Sequence, residues 1–326
     1  MRSLAFKVTI ADRDVTRDLA PFVLELTYED QVGQQSDELS ILLSDTDGRF
    51  RGNWMPDKGD SIKASIGYAK ASLLNCGEFV IEELGYGGPP DQLSVRGLAA
   101  APTKALRTNN SKAYENQTLA QIAQSIAGKH GLRIVGTVPP VNVERITQDN
   151  EPDLRFLHRL ASEHGYVFSV RGTQLVWMSV YDLEAAAPVL TLKRDQVSPG
   201  YRFVDRITGV FKACEVTYHR PKEKKVHKFT VQASGVTSGD TLKLNVRAES
   251  QYQAEAKAKA ALHKANSKQL TASLSIEGNI KAVAGVNVTL SGWGKLDGVY
   301  HVVTSRHTLT RDAGYRTELD LKRVRA

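Results

Sequence analysis

Cysteine is nearly missing from this chain: Cys76 and Cys214 are the only two in 326 residues. So far apart in sequence, they match no metal-binding or redox spacing, and no disulfide framework of the kind that staples small secreted domains follows from them. Both are expected to be buried, reduced thiols. No window holds the ~18 or more uninterrupted apolar residues of a membrane helix. The first residues, Met1 to Lys7, lack an apolar core followed by a small-residue cleavage site, which predicts folding in a cytoplasm. Signatures of chemistry are missing too. There is no G-x-S-x-G elbow, no phosphate-binding glycine loop with Lys-Ser/Thr, and no H-E-x-x-H.

The residues able to do chemistry are scattered. His158 and His164 lie six apart on a predicted helix and so on different faces, whereas a metal pair needs three or four. They read as a polar edge and a C-terminal-turn histidine. Asp45-x-Asp47-Gly48 opens like a calcium loop, but the later liganding glutamate is missing, which leaves a turn. Glu82 and Glu83 are neighbours on a predicted strand and should point to opposite faces. Trp54, Trp177 and Trp293 are spread out and read as core or interface anchors. No catalytic, cofactor-binding or metal-ligating residue is therefore expected, and no cofactor.

The formal net charge is +7, which admits nucleic acid as a partner. The basic residues are dispersed, however. The densest runs, Pro221-Lys222-Glu223-Lys224-Lys225 and Leu321-Lys322-Arg323-Val324-Arg325, read as a hairpin tip and a strand end, without interleaved aromatics for base stacking. Direct nucleic-acid binding and membrane association are not expected.

Three patterns follow one another along the chain. Phe6, Val8 and Ile10 alternate, as do Phe22, Leu24, Leu26 and Tyr28, then Leu39, Ile41 and Leu43, then Ile62, Ala64, Ile66 and Tyr68. This is the period of half-buried strands, broken by turn chemistry such as Pro56-Asp57-Lys58-Gly59. Helical spacing then takes over at Leu119, Ile122, Ala123 and Ile126, with a stop near Gly128 or Gly131. A second helix is predicted after Asp149-Asn150 as cap, with Pro152 in its first turn and Leu154, Leu157 and Ala161 as its stripe. A hairpin from Tyr166 to Trp177 follows. Strands then return: Val216 and Tyr218 pair with Phe229 and Val231, and Leu270 to Ile276, Val286 to Leu290, Tyr300 and Val302, and Leu319 and Leu321 follow. One helix, near Ala248 to Lys268, interrupts them. The expected fold is mainly β: a first antiparallel barrel over 1–100, an α/β insert with two helices and a hairpin over 101–187, and a second barrel with one inserted helix over 188–326.

The two β regions echo each other. Gly59-x-x-Ile62-x-Ala64, Gly77-x-Phe79-x-Ile81 and Leu93-x-Val95 answer to Gly285-x-x-Val288-x-Leu290, Gly298-x-Tyr300-x-Val302 and Leu319-x-Leu321. A duplicated barrel is expected, with Phe79 on Tyr300 and Leu93 near Leu319. Three copies of a chain with two like units can close a ring of six by heterologous contacts.

The stretch Gln148 to Tyr166, with Asp153-Leu154-x-Phe156-Leu157 and Leu160-Ala161-x-Glu163-x-Gly165, resembles the phage late control gene D protein family. Thr118 to Ala123 leading to His130-Gly131-Leu132, and Cys76 to Leu84, fit it as well, and the order of elements matches over essentially the whole chain. The hub half of type VI secretion spike proteins is similar. The resemblance implies a structural, non-enzymatic baseplate hub of a contractile phage tail or R-type tailocin, made in the host bacterial cytoplasm. It would be a homotrimeric, pseudo-sixfold ring that adapts a sixfold tail tube to a threefold central spike. The implied partners are the spike, the tube, baseplate wedge proteins and the tape measure protein. The spike is expected as a separate chain. A hub-associated cell-wall hydrolase is the alternative, to be favoured by a buried carboxylate pair in a cleft.

Overall fold

A computed structural model describes residues 3–33, 37–99, 104–219, 225–236 and 238–325. The chain begins with β1 (Leu4–Ile10), β2 (Arg13–Asp14), the single turn α1 (Thr16–Leu19), β3 (Val23–Gln31), β4 (Glu38–Ser44), β5 (Ser61–Tyr68), β6 (Leu74–Gly87) and β7 (Gln92–Ala99). Next come β8 (Asn109–Thr118), α2 (Leu119–Lys129), β9 (Arg133–Gly136), β10 (Asn142–Pro152), α3 (Asp153–Glu163), β11 (Tyr166–Arg171), β12 (Gln174–Ser179) and α4 (Val180–Ala185). The last third holds β13 (Leu190–Lys193), β14 (Val197–Asp205), β15 (Phe211–His219), β16 (Val226–Gln232), β17 (Asp240–Arg247), α5 (Gln251–Asn266), β18 (Leu270–Glu277), β19 (Asn287–Ser291), β20 (Gly298–Thr310) and β21 (Gly314–Arg323). The fold is mainly β and mainly antiparallel, as the alternating patterns require.

Both β-rich regions belong to one 13-stranded sheet. The first contributes the order β1-β5-β6-β7-β4-β3 and the second β13-β19-β20-β21-β18-β14, so strands of equal rank in each half have equal neighbours. Strand β3 pairs with the C-terminal half of β20, from Thr304↔Gln31 to Thr310↔Glu25, and welds the halves together. One difference is the rim strand: β1 runs antiparallel to β5, whereas β13 runs parallel to β19.

The echo holds at the glycines, at Phe79 and Tyr300, and at one bulge in each half. Ile62 lies opposite Phe79, and Val288 opposite Tyr300. Gly59 and Gly285, and likewise Gly77 and Gly298, all have positive φ, where a Cβ would be strained. A bulge follows at the same place in each half, between Ile81 and Glu83 and between Val302 and Thr304. The expected match of Leu93 with Leu319 is off by two residues: the register sets Val95 opposite Leu84 where Leu319 lies opposite Ser305, and Leu93 answers to Thr317. A two-residue slip keeps the same face inward, so alternation alone could not reveal it.

Bulges and ladders also move three predicted boundaries. The alternation through Phe22 and Leu24 breaks at a bulge between Val23 and Glu25, which buries Val23 in place of Leu24. Asp149 and Asn150 do not cap the second helix. They sit in a bulge of β10, with Asn150 at φ 43°, and the ladder to β8 runs on to Pro152, which becomes the N-cap of α3. Strands β8 and β10 pair with each other, and β9 runs parallel to β12; neither pairing was predicted. Helix α2 starts where expected, at a capping box between Thr118 and Gln121.

The second β region carries more than one inserted helix. Between β14 and β18, strands β16-β15-β17 form their own sheet, and Ala254, Ala258 and Leu262 of α5 pack on its Cys214, Val216 and Tyr218. Ser250 Oγ accepts from Gln253 N at 3.2 Å, which starts α5 at Gln251 and not at Ala248. Val216 does pair with Phe229, but Val231 lies opposite Cys214, and Tyr218 opposite His227. The lysine-rich tip at 221–224 lies outside the described residues.

Candidate functional site

Several residues singled out in the sequence have a local structural task. Asp45 is fully buried, accepts from Phe50 N at 3.0 Å and receives the Tyr86 hydroxyl at 2.8 Å, so it ties a turn to β6. Asp47 holds Arg49 instead. No group of three His, Cys, Asp or Glu residues is placed to hold a metal ion among the described residues. Glu82 and Glu83 do not face opposite ways: the bulge between Ile81 and Glu83 interrupts the alternation, and both carboxylates approach Arg96 Nη1, at 4.0 and 3.3 Å. Cys76 and Cys214 are buried and free, in separate apolar clusters. Trp177 is fully buried and Trp54 is exposed, stacked edge-on with Phe22 and Phe50.

His158 is half-buried and His164 is buried at the C-cap of α3. Burial, aided by the charge of Lys257, pushes the His164 imidazole down to about 4. Its Nδ1 is enclosed and has no hydrogen-bond partner among the described residues.

Three partly buried ionic clusters went unseen in the sequence, because their members come from different elements. In the first, Arg171 Nη2 donates to Asp30 Oδ1 at 2.8 Å and approaches Asp37 Oδ2 at 3.8 Å, while Ala284 N donates to Asp30 Oδ2 at 3.0 Å. Both carboxyls face Arg171; burial and then the charge of Asp30 raise Asp37 to about 6. In the second, burial by itself would raise Asp153, but hydrogen bonds from Lys129, His130 and Gln148 outweigh it and hold the carboxyl at about 2. In the third, Glu184 takes His263 at 2.9 Å and Lys322 at 2.6 Å and is likewise held at about 2 against the effect of burial.

The first cluster stands at the edge of a cleft of about 1180 Å³, bounded by α3, the end of β10, β17, α5 and the end of β3. Eight arginines and lysines line it against three carboxylates, Asp37, Glu163 and Glu249. Half-buried aliphatic side chains, among them Ile146, Leu154, Val170 and Val246, lie between the charges. This is a surface suited to an anionic, partly apolar ligand.

The sequence profile described as "Phage tail baseplate hub (GPD)" matches residues 91–313. A probable baseplate hub protein of Escherichia phage 186 is 26% identical over 230 residues, covering 69% of this chain and 58% of that protein, so the chain spans little more than half the length of that relative. Among solved structures, the 43 kDa tail protein of prophage MuSo2 from Shewanella oneidensis aligns with a TM-score of 0.76 at 13% identity, over 98% of each chain. The E. coli c3393 protein, a component of the type VI secretion system, aligns with a TM-score of 0.60 at 13% identity, over 94% of this chain and 74% of that one. At such identities the two structures speak for the fold.

Proposed function

Because the chain belongs to the phage tail baseplate hub family, and so to the tail baseplate, we propose that it acts there as a structural symmetry adaptor and not as an enzyme. The observation that carries this reading is the repeated strand order, β1-β5-β6-β7-β4-β3 against β13-β19-β20-β21-β18-β14, with matched glycines and bulges. A trimer of such chains presents six similar sheet halves, which meets a sixfold tube on one side and a threefold spike on the other. The ring would be obligate, burying about 2,000 Å² or more per interface. On this reading residues 1–100 and 188–326 are the two ring-forming units, and 101–187 the α/β insert. The partners are the central spike, the tube protein, wedge proteins and the tape measure protein, in a phage or an R-type tailocin.

The hydrolase reading has one feature in its favour, the Asp30–Asp37 pair beside the cleft. Asp30 is only 2% exposed, however, and both its oxygens are occupied, by Arg171 and Ala284 N. Glycosidase carboxyls stand about 5 Å or more apart with room for sugar or water between them, whereas a single guanidinium nitrogen of Arg171 stands between these two. The pair fits a structural tie better than a catalytic one.

Complementation of a hub-deleted tail tests the proposal. Asp37→Asn, Glu82→Ala, Glu83→Ala, His158→Ala and His164→Ala should each allow tails to assemble and to kill or infect. Loss of residues from 188 onward should stop tube growth. Mass photometry of the assembled hub should give a trimer. Normal-looking tails that lose activity after a single carboxylate or histidine change would point to catalysis and overturn the structural reading.

A further inference from the structure

We propose that the basic cleft between α3, β17 and α5 is a docking site for an acidic, leucine-rich polypeptide segment of a partner protein. The inference goes beyond the adaptor reading, which rests on the sheet, and can fail without it.

Charge comes first. Arg107, Arg155 and Arg247 line the cleft, are exposed, and have no carboxylate partner among the described residues; Lys264 bonds only Ser162 Oγ, at 3.3 Å. Arg159 and Lys257 are satisfied by Glu151 and Glu163, so they hold the walls in place and leave the others for a ligand. Four such cations around one concavity, between low-dielectric walls, focus a positive field.

The chemistry of the walls selects the ligand. About 1180 Å³ exceeds the ~300–1,000 Å³ of ordinary small-molecule pockets and suits an extended segment. Ile146, Leu154, Val170 and Val246 offer apolar seats between the cations. Grooves for single-stranded nucleic acid pair cations with exposed aromatic faces. Here Phe168 is the one Phe, Tyr or Trp among the described lining residues, and it is 2% exposed. A second copy of this chain is a poorer occupant, since its net charge of +7 opposes a basic cleft.

The test is fluorescence anisotropy on the full chain with a labelled peptide of glutamate and leucine, against an oligothymidylate of equal charge. The peptide should bind, and bind more tightly than the oligonucleotide. Its affinity should fall as salt screens the cleft. Arg155→Glu and Arg247→Glu should each weaken it about tenfold, a loss of about 1.4 kcal/mol, while Lys58→Glu, outside the cleft, leaves it unchanged. Circular dichroism of each variant excludes misfolding as the cause. No peptide binding at millimolar concentration, equal loss with Lys58→Glu, or tighter binding of the oligonucleotide would each overturn the proposal. So would loss of self-association in Arg155→Glu, because the cleft would then be a contact between copies.

Discussion

Arg171 Nη2 donates to Asp30 Oδ1 at 2.8 Å, which pins the tip of the β11–β12 hairpin to strand β3 across 141 residues of chain. Asp30 is 2% exposed and the Arg171 side chain 50% exposed. Truncating one partner of a buried pair leaves the other charge stranded, at a cost of about 3–5 kcal/mol when both are buried.

With a half-exposed arginine and the Ala284 amide still in place, Arg171→Met should cost less, about 2 kcal/mol at pH 7.5. Burial already raises Asp30, so without its cation the carboxyl takes up a proton more readily. The loss should therefore shrink by pH 5, and Asp30→Asn in the same chain should recover part of it. Urea titration of the single and double variants at both pH values checks this. A loss that grows on acidification would contradict it.

Leu157 is fully buried, between α2 and the β11–β12 hairpin, among Ile122, Phe168 and Trp177. Leu157→Ala should cost about 2–5 kcal/mol through lost transfer energy and the cavity left behind. Chemical denaturation measures it, and a change below ~1 kcal/mol would mean that the neighbours collapse into the space.

Histidines set the acid limb of stability. Burial lowers His164, His301 and His307 to about 4 from the ordinary 6.5. A lowered folded value means that the unfolded chain binds the proton first, so stability is lost as pH falls from about 6.5 towards 4. Asp37, raised to about 6, and Asp30, also raised by burial, act with the opposite sign over part of that range and offset some of the histidine effect. Asp153 and Glu184, held at about 2, withdraw their stabilisation only below the ordinary carboxylate range. The net expectation is a loss of about 1–3 kcal/mol per pH unit between 6 and 4.5. Urea midpoints at pH 7.5, 6 and 5 should fall in that order; equal midpoints would refute it.

Local signals survived from sequence to structure, and distant ones did not. Gly59, Gly77, Gly285 and Gly298 were legible as paired because each stands at a positive-φ position beside a two-residue alternation. The stripe of α2 was legible because Leu119, Ile122, Ala123 and Ile126, four of its five buried residues, lie at helical spacing within one short segment. The bulge that brings Glu82 and Glu83 to one guanidinium leaves no mark in the alternation, since a bulge is defined by the partner strand. The cleft was invisible for a different reason. Its cations come from positions 107 to 264, and each one alone reads as a solvated side chain. The Arg171–Asp30 tie was hidden in the same way: nothing near either residue names the other.

Tyr315 shows how far such distant contacts couple the chain. It belongs to β21 yet packs in the apolar cluster of the first β region, with Leu309 and against Tyr68, ring centroids 5.4 Å apart. Its hydroxyl lies 2.8 Å from His307 Nδ1, and it is 3% exposed. Removing the ring should therefore cost about 3–5 kcal/mol, the usual range for a buried aromatic cut to alanine. The damage should also appear some 250 residues away, because the cavity opens onto strands of the first half. Hydrogen exchange on Tyr315→Ala should show faster exchange in β5 and β6 as well as in β20 and β21. Tyr315→Phe keeps the ring, loses only the hydrogen bond, and should cost about 1 kcal/mol with β5 and β6 still protected. If Tyr315→Ala speeds exchange in β20 and β21 alone, the two halves of the sheet are energetically separate despite the β3–β20 ladder, and a rigid adaptor built from both loses its physical basis.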